Sequence, residues 1–261
     1  MRALNIAATG MLAQQQNVEV VSNNLANMNT TAFQRRRTEF QDLLYDNLRR
    51  VGSTSAEAGT VVPSGVQIGL GARLAAVYRI ASQGNLSSTD NPFDLAIQGK
   101  GLFPVDLPDG TRAYTRDGTF QLNADGQVVT HDGYPVGPGL TIPADAVDVV
   151  INQSGEVLVK QQGQVNLQNV GQFRIVSFPN EAGLEAIGAN LLLETPASGA
   201  PAEGAPQDQG YGGILQGFLE TSNVNPVEEI TNLISAQRAY EMNSKVIQTA
   251  DDMMGTLSNL R

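Results

Sequence analysis

Cysteine and tryptophan are absent from this chain of 261 residues, and histidine occurs once, at His131. These absences remove thiol nucleophiles, cysteine-based zinc or iron-sulfur sites, two-histidine metal sites and a tryptophan platform for sugars. Charge is sparse as well: 16% of residues are Asp, Glu, Lys or Arg, and Asn plus Gln are about as numerous. The 16 Lys and Arg against 26 Asp and Glu leave a formal charge of -10, which repels a phosphate backbone and argues against nucleic acid as a partner. No apolar run approaches the ~18 residues of a membrane helix. The Ala-rich start is diluted by Asn5, Thr9 and Gly10 and lacks a small-x-small cleavage site, so it reads as an uncleaved N-terminus. The lack of cysteine excludes a disulfide-stapled module without fixing a compartment.

What is present begins with a heptad seam. Leu4, Ala7, Met11, Gln14, Val18, Val21, Leu25 and Met28 follow three-four spacing and predict a helix over 1–29, about 40 Å long at ~1.5 Å per residue. Its opposite face carries Asn5, Thr9, Gln16, Glu19 and Asn23. At the other end, Asn225, Pro226 and Glu228 read as an N-cap, a first-turn proline and a carboxylate at the third position. Ile230, Leu233, Gln237, Tyr240, Ser244, Ile247, Ala250, Met254 and Leu257 then keep helical spacing to the end. The two ends pair most simply as an antiparallel or crossing helical hairpin. Polar intrusions at Gln14, Gln237 and Ser244 suit an isolated two-stranded coil poorly, so these helices call for further copies around them.

Between the ends the period becomes two. Asp109-Gly110, Asp117-Gly118, Asp125-Gly126 and Asp132-Gly133 punctuate short Thr-, Tyr-, Phe- and Val-rich segments and predict consecutive hairpins. Further strands are expected over 147–151, 156–159 and 172–178, giving a small barrel or sandwich. Two stretches read as connectors, 52–66 and 196–213, rich in small residues. The fold class is therefore α+β: a coiled-coil-like helical base from both termini (1–30 with 225–261), a connecting region (31–70 with 205–224) and a mostly β domain (71–204).

Catalytic and ligand motifs are weak. Gly99-Lys100-Gly101 opens like a dinucleotide fingerprint but meets Pro104 in place of the third glycine, so a bend before Leu102 and Phe103 is expected. The run from Gln121 to Asp132 imitates a calcium loop inside a strand-turn-strand pattern, where a hairpin explains Asn123, Asp125 and Gly126 more simply. Asp106, Asp109 and Asp117 are the carboxylates available for glycan cleavage, and two of them fall in Asp-Gly turns. Arg35, Arg36 and Arg37 beside Phe33 and Phe40 read as exposed surface or a protein contact. No catalytic, cofactor or metal site is expected, and the chain reads as no enzyme.

Several words of the sequence resemble the bacterial flagellar rod and hook family. They are Ser22-Asn23-Asn24-Leu25-Ala26-Asn27 through Phe33, Pro63-Ser64-Gly65-Val66-Gln67-Ile68-Gly69, Ser82-Gln83-Gly84-Asn85-Leu86, Glu220-Thr221-Ser222-Asn223-Val224-Asn225 and Gln237-Arg238-Ala239-Tyr240-Glu241. The C-terminal words are nearest to the distal-rod branch, with proximal rod and hook members as the alternatives. Ala32 departs from the glycine usual in the family signature, and Leu102 stands where a second aromatic is expected. The resemblance implies a structural subunit of a flagellar basal body that self-assembles into a hollow helical tube and transmits motor torque to the hook. It further implies export through the flagellar type III apparatus, proximal rod proteins and hook protein as neighbours, and surrounding peptidoglycan and outer-membrane rings. The segment from Tyr45 to Val66 resembles the family's rod-specific extension. Subunit contacts are expected at Leu4, Ala7, Met11, Val18, Val21, Leu25, Met28, Ile230, Leu233, Tyr240, Ile247, Met254 and Leu257. A surface-binding module is the alternative from a different class.

Overall fold

The computed structural model describes residues 2–49, 64–163 and 166–259. The architecture is α+β, with one helix near each end and strands between them. The chain divides into two compact units, a terminal unit of Met1–Ala26, Arg36–Tyr78 and Asn225–Arg261 and a central unit of Asn27–Arg35 and Arg79–Val224. Most of the connector expected at 52–66 lies outside the described residues.

In the terminal unit, α1 spans Arg2–Ala26 and α2 spans Pro226–Asn259. Asn225 caps α2 as its sequence predicts, its Oδ1 accepting from the Val227 amide at 3.1 Å, with the proline at the first position where no donor is needed. Among the described residues, neither helix is long and apolar enough to cross a membrane. The unit also holds β1 (Arg36–Asp42), β2 (Tyr45–Arg49), β3 (Val66–Gly69) and β4 (Ala72–Arg79), paired as β1 with β4 and β2 with β3. These strands fall largely in a region read from sequence as connector, because Arg36-Arg37-Thr38-Glu39-Phe40-Gln41-Asp42 has no two-residue apolar alternation. They lie along α1 at regular intervals. Arg2 pairs with Asp46, and Thr38 Oγ1 donates to Asn17 Oδ1 at 2.7 Å. Gly71, at φ +124°, sits so close to Thr9 that a Cβ there would fall 2.1 Å from its Oγ1. The polar face of α1 thus carries strands at Thr9.

The central unit is a set of short antiparallel strands around one main core. Its strands are β5 (Leu86–Ser88), β6 (Leu95–Gln98), β7 (Phe103–Asp106), β8 (Arg112–Thr115), β9 (Gln121–Leu122), β10 (Val128–Val129), β11 (Ala146–Ile151), β12 (Glu156–Gln161) and β13 (Gln168–Gln172). They continue with β14 (Ile175–Ser177), β15 (Glu185–Gly188), β16 (Leu191–Leu193), β17 (Ala202–Gly204), β18 (Gly213–Gln216) and β19 (Phe218–Glu220). The largest sheet runs β15-β16-β8-β7, and β11-β12-β13 forms a meander. The returning chain closes the unit: β18 pairs with β6 and β19 with β5.

Successive residues at the entry to β7, where Leu102 precedes Phe103, and in β14 point to opposite faces and so serve two cores. Phe103 and Ile175 join the main cluster with Phe120 and Phe173, whereas Leu102 and Val176 join a second one with Tyr114 and Phe178. Phe103 meets Phe120 edge-on at 5.1 Å between ring centroids. Three of the four Asp-Gly pairs turn the chain as expected. Asp109-Gly110 joins β7 to β8, Asp125-Gly126 joins β9 to β10, and Asp132-Gly133 turns after β10 to bring Pro135 beside Val129. Asp117-Gly118 closes no hairpin, because β8 is already paired on both sides, by β7 and β16. There Asp117 Oδ1 accepts from Thr119, and a Cβ on Gly118 would lie 1.6 Å from the Leu95 carbonyl.

Candidate functional site

The helices α1 and α2 meet along small and polar residues. Asn24, which is 1% exposed, is a three-way junction. Its Oδ1 accepts from the Arg36 amide at 2.8 Å, its Nδ2 donates to the Arg36 carbonyl at 2.8 Å, and the same Nδ2 donates to Glu229 Oε2 at 3.1 Å. Farther along, Gly10 leaves room for Asn243: a Cβ on Gly10 would come within 2.9 Å of Asn243 Nδ2. These contacts lie two heptads apart on each helix, Gly10 to Asn24 and Glu229 to Asn243, and they run in opposite directions, so the helices are antiparallel.

The buried line of α2 is Glu229, Ala236 and Ala250, with Asn243 half-buried at the same seven-residue spacing. On α1 the buried residues are Ala7, Ala13, Val21 and Asn24. Of the residues expected at subunit contacts, Ala7 and Val21 are thus buried inside the unit, and Leu4, Met11, Val18, Leu25, Leu233 and Ile247 are half-buried. Ile230, Tyr240 and Met254 remain exposed. Met28 lies past the end of α1, in the central unit, and is exposed. The side chain of Leu257 lies outside the described residues. Sequence periodicity missed Asn24, Glu229, Ala236 and Asn243. The signal left on α2 is a heptad spacing of Glu229, Ala236 and Asn243, residues that share no hydrophobicity.

Large apolar side chains gather on the outside of this unit. Of the 23 exposed large hydrophobics among the described residues, 17 belong to it. On α2 they include Val227, Ile230, Ile234, Met242, Val246 and Met253, and on the strands Leu44, Leu48, Ile68 and Leu70. Among the described residues, the buried hydrophobics of the same unit are Ala7, Ala13, Val21, Ala236 and Ala250, four of them alanine. A unit that buries alanine and exposes isoleucine and methionine has its apolar surface turned outward, as surfaces that meet other protein do.

The motifs read for other chemistry are occupied by structural contacts. The guanidinium of Arg116 donates to the Gly101, Ile97 and Gly99 carbonyls, so the Gly99-Lys100-Gly101 bend wraps an arginine. Asn123 Oδ1 accepts from the Asp125 and Gln127 amides and shapes the turn that imitated a calcium loop. Asp106 pairs with Arg112 at 3.1 Å, and Asp117 Oδ2 accepts from Asn190 at 2.8 Å. Asp109 accepts from Thr111 Oγ1 at 2.6 Å and from the Thr111 amide, and these bonds hold its carboxyl below the usual carboxylate range. An open concavity of about 650 Å³ bordered by Gln98, Lys100, Gln153, Gln207 and Tyr211 has no carboxylate among the described residues of its lining.

Three families match along the chain. Residues 4–34 match the flagella basal body rod protein family, 96–159 the D1 domain of flagellar hook protein FlgE/F/G, and 215–260 the C-terminal region of flagellar basal body rod FlgEFG proteins. The chain is 58% identical over 261 residues to the flagellar basal-body rod protein FlgG of Caulobacter vibrioides, covering all of both chains. The FlgG of Agrobacterium fabrum is 52% identical, with 99% of this chain and 98% of the relative covered, and that of Bacillus subtilis is 40% identical, with 100% and 99% covered. Identity at this level along the full length, with rod-family matches at both ends, leads to one conclusion: the chain belongs to the flagellar basal-body rod protein FlgG family.

Proposed function

We propose that the chain polymerises through its terminal unit into a hollow helical tube, the distal rod of a bacterial flagellum, and passes motor torque to the hook. The observation that carries this reading is the outward apolar surface of that unit, with Ile230 and Ile234 each 45% exposed while the partner helices bury alanine. Covering a large apolar side chain is worth about 1.5–3 kcal/mol, and many such side chains recur on every copy. Torsional load then passes through packed side chains, which suits a surface of amides and aliphatic groups better than a few screened ion pairs. The role is structural and not enzymatic, and no cofactor enters it.

On this reading the partners are further copies of the chain, the proximal rod proteins below, the hook protein above and the peptidoglycan and outer-membrane rings around the rod. Export is through the flagellar type III apparatus without cleavage of the N-terminus. The direct test is assembly of chains carrying aspartate at Ile230 or Ile234, read by electron microscopy of basal bodies. Rods of normal length in such cells contradict the reading.

A further inference from the structure

We propose that Asn24 and Glu229 set the register of the terminal helices, selecting one antiparallel alignment from several that the apolar side chains accept equally. On α1, Leu4, Met11, Val18 and Leu25 recur every seven residues, and on α2 so do Leu233, Tyr240, Ile247 and Met254. Sliding one helix by a heptad places each of these side chains where its neighbour stood. Apolar burial therefore distinguishes the alignments poorly, as in coiled coils whose register is fixed by a single polar position.

The polar column is less repetitive, running Asn24, Asn17, Gly10 and Ala3 on α1 against Glu229, Ala236, Asn243 and Ala250 on α2. Asn24 is held by both its oxygen and its nitrogen on the backbone of Arg36, at 2.8 Å each, so one Nδ2 hydrogen is left aimed at Glu229. Rotating the amide to exchange its ends would set an N–H against the Arg36 amide and an oxygen against the carboxylate, so the donor is fixed before α2 docks. Glu229 is 3% exposed, and water cannot readily replace that donor. A slide of one heptad in one direction puts Asn24 opposite Ala236 and withdraws its amide from Glu229. In the other direction it brings Asn17 to Glu229 but puts Asn243 onto Ala3, whose Cβ would occupy the space that Gly10 leaves open, so that alignment is opposed by shape. Asn24 and Glu229 are positioning residues: they face no ligand, and they decide which side chains the helix pair presents.

The absence of cysteine makes the test clean, because every disulfide is an introduced one. In the full-length chain, Gly10→Cys with Asn243→Cys reports the observed register. Gly10→Cys with Ala236→Cys or with Ala250→Cys reports a slide of one heptad either way, and disulfides within a chain are separated from those between chains by gel mobility. The starting protein is expected to oxidise only in the first combination. In the background of Asn24→Leu and Glu229→Leu, the disulfide of Gly10→Cys with Ala250→Cys should rise by about tenfold or more, the weight of a hydrogen bond to a buried charged group, while the slide that seats Asn243 on Ala3 stays opposed. Glu229→Gln keeps an acceptor for the Asn24 amide and should stay in register. Slipped disulfides no more abundant in the leucine pair than in the starting protein overturn the proposal. Should circular dichroism show that the leucine pair has lost its helices, Asn24→Asp and Glu229→Gln decide. The aspartate sets a second carboxylate against Glu229 and should lose the native disulfide while glutamine keeps it, and equal yields overturn the proposal. The test concerns helices within one chain, so its outcome is independent of polymerisation.

Discussion

Arg116 and Glu220 form an ion pair of 2.7 Å inside the central unit, with side chains only 9% and 4% exposed. The arginine's remaining donors go to the Gly101, Ile97 and Gly99 carbonyls, and the second carboxylate oxygen accepts from the Gly84 amide at 2.9 Å. The pair ties the residue that follows β8 to β19. Removing one partner of such a pair leaves a charge uncompensated. Arg116→Leu should therefore cost about 3–5 kcal/mol, as should Glu220→Leu. Urea unfolding of the single and double variants checks this, and the double variant should be less destabilised than the two single losses added together.

Ala32 occupies the left-handed region at φ +56°, where glycine is at ease and alanine strained by about 1–2 kcal/mol. Its amide donates to the Glu220 carbonyl at 2.8 Å, so the conformation is fixed by a backbone bond. Ala32→Gly should raise stability by about 0.5–1 kcal/mol after the greater backbone entropy of glycine in the unfolded chain is subtracted. Thermal unfolding reads the change as a higher Tm.

Asp109 is held below the usual carboxylate range, first by the side-chain hydrogen bond from Thr111 and then by the Thr111 amide. A carboxyl group depressed in the folded state adds stability above its unfolded pKa and loses it as pH falls through the folded value. The turn between β7 and β8 should therefore loosen only at pH below the ordinary carboxylate range. Thr111→Val should move the Asp109 titration upward, measured by side-chain NMR across acid pH.

Leu25 and Ile247 are half-buried within the terminal unit, so aspartate at either acts on folding and assembly together. Ile230 and Ile234 separate the two effects because both are 45% exposed in the single chain. Ile230→Asp and Ile234→Asp should change unfolding free energy by no more than about 0.5 kcal/mol, the usual range for surface substitutions. The same variants should lose rod growth and motility. A large loss of stability with assembly intact would contradict the assignment of this face.

Much of the fold is legible in the sequence because its signals are local. Asn225 and Pro226 mark the start of α2 through the needs of unpaired helix donors, and Asp109-Gly110 marks a hairpin through the positive φ of its glycine, +83°. The facing column of the helix pair was not legible, since Glu229, Ala236 and Asn243 share a period without sharing hydrophobicity. Asp117-Gly118 has the composition of a hairpin turn, but the two-sided pairing of β8 gives it another task, which depends on Leu191 to Leu193 far along the chain. Ala32 was legible as a local departure from the signature that the sequence resembles, and its backbone adopts a glycine-like conformation.

Helical reconstruction, by electron microscopy, of the polymer formed by the full-length chain tests the central claim most directly. The account predicts a hollow tube in which Ile230, Ile234, Met242 and Val246 of each copy are covered by neighbouring copies. A chain that stays monomeric with ordered helices, or a polymer that leaves those four side chains open to solvent, would contradict it.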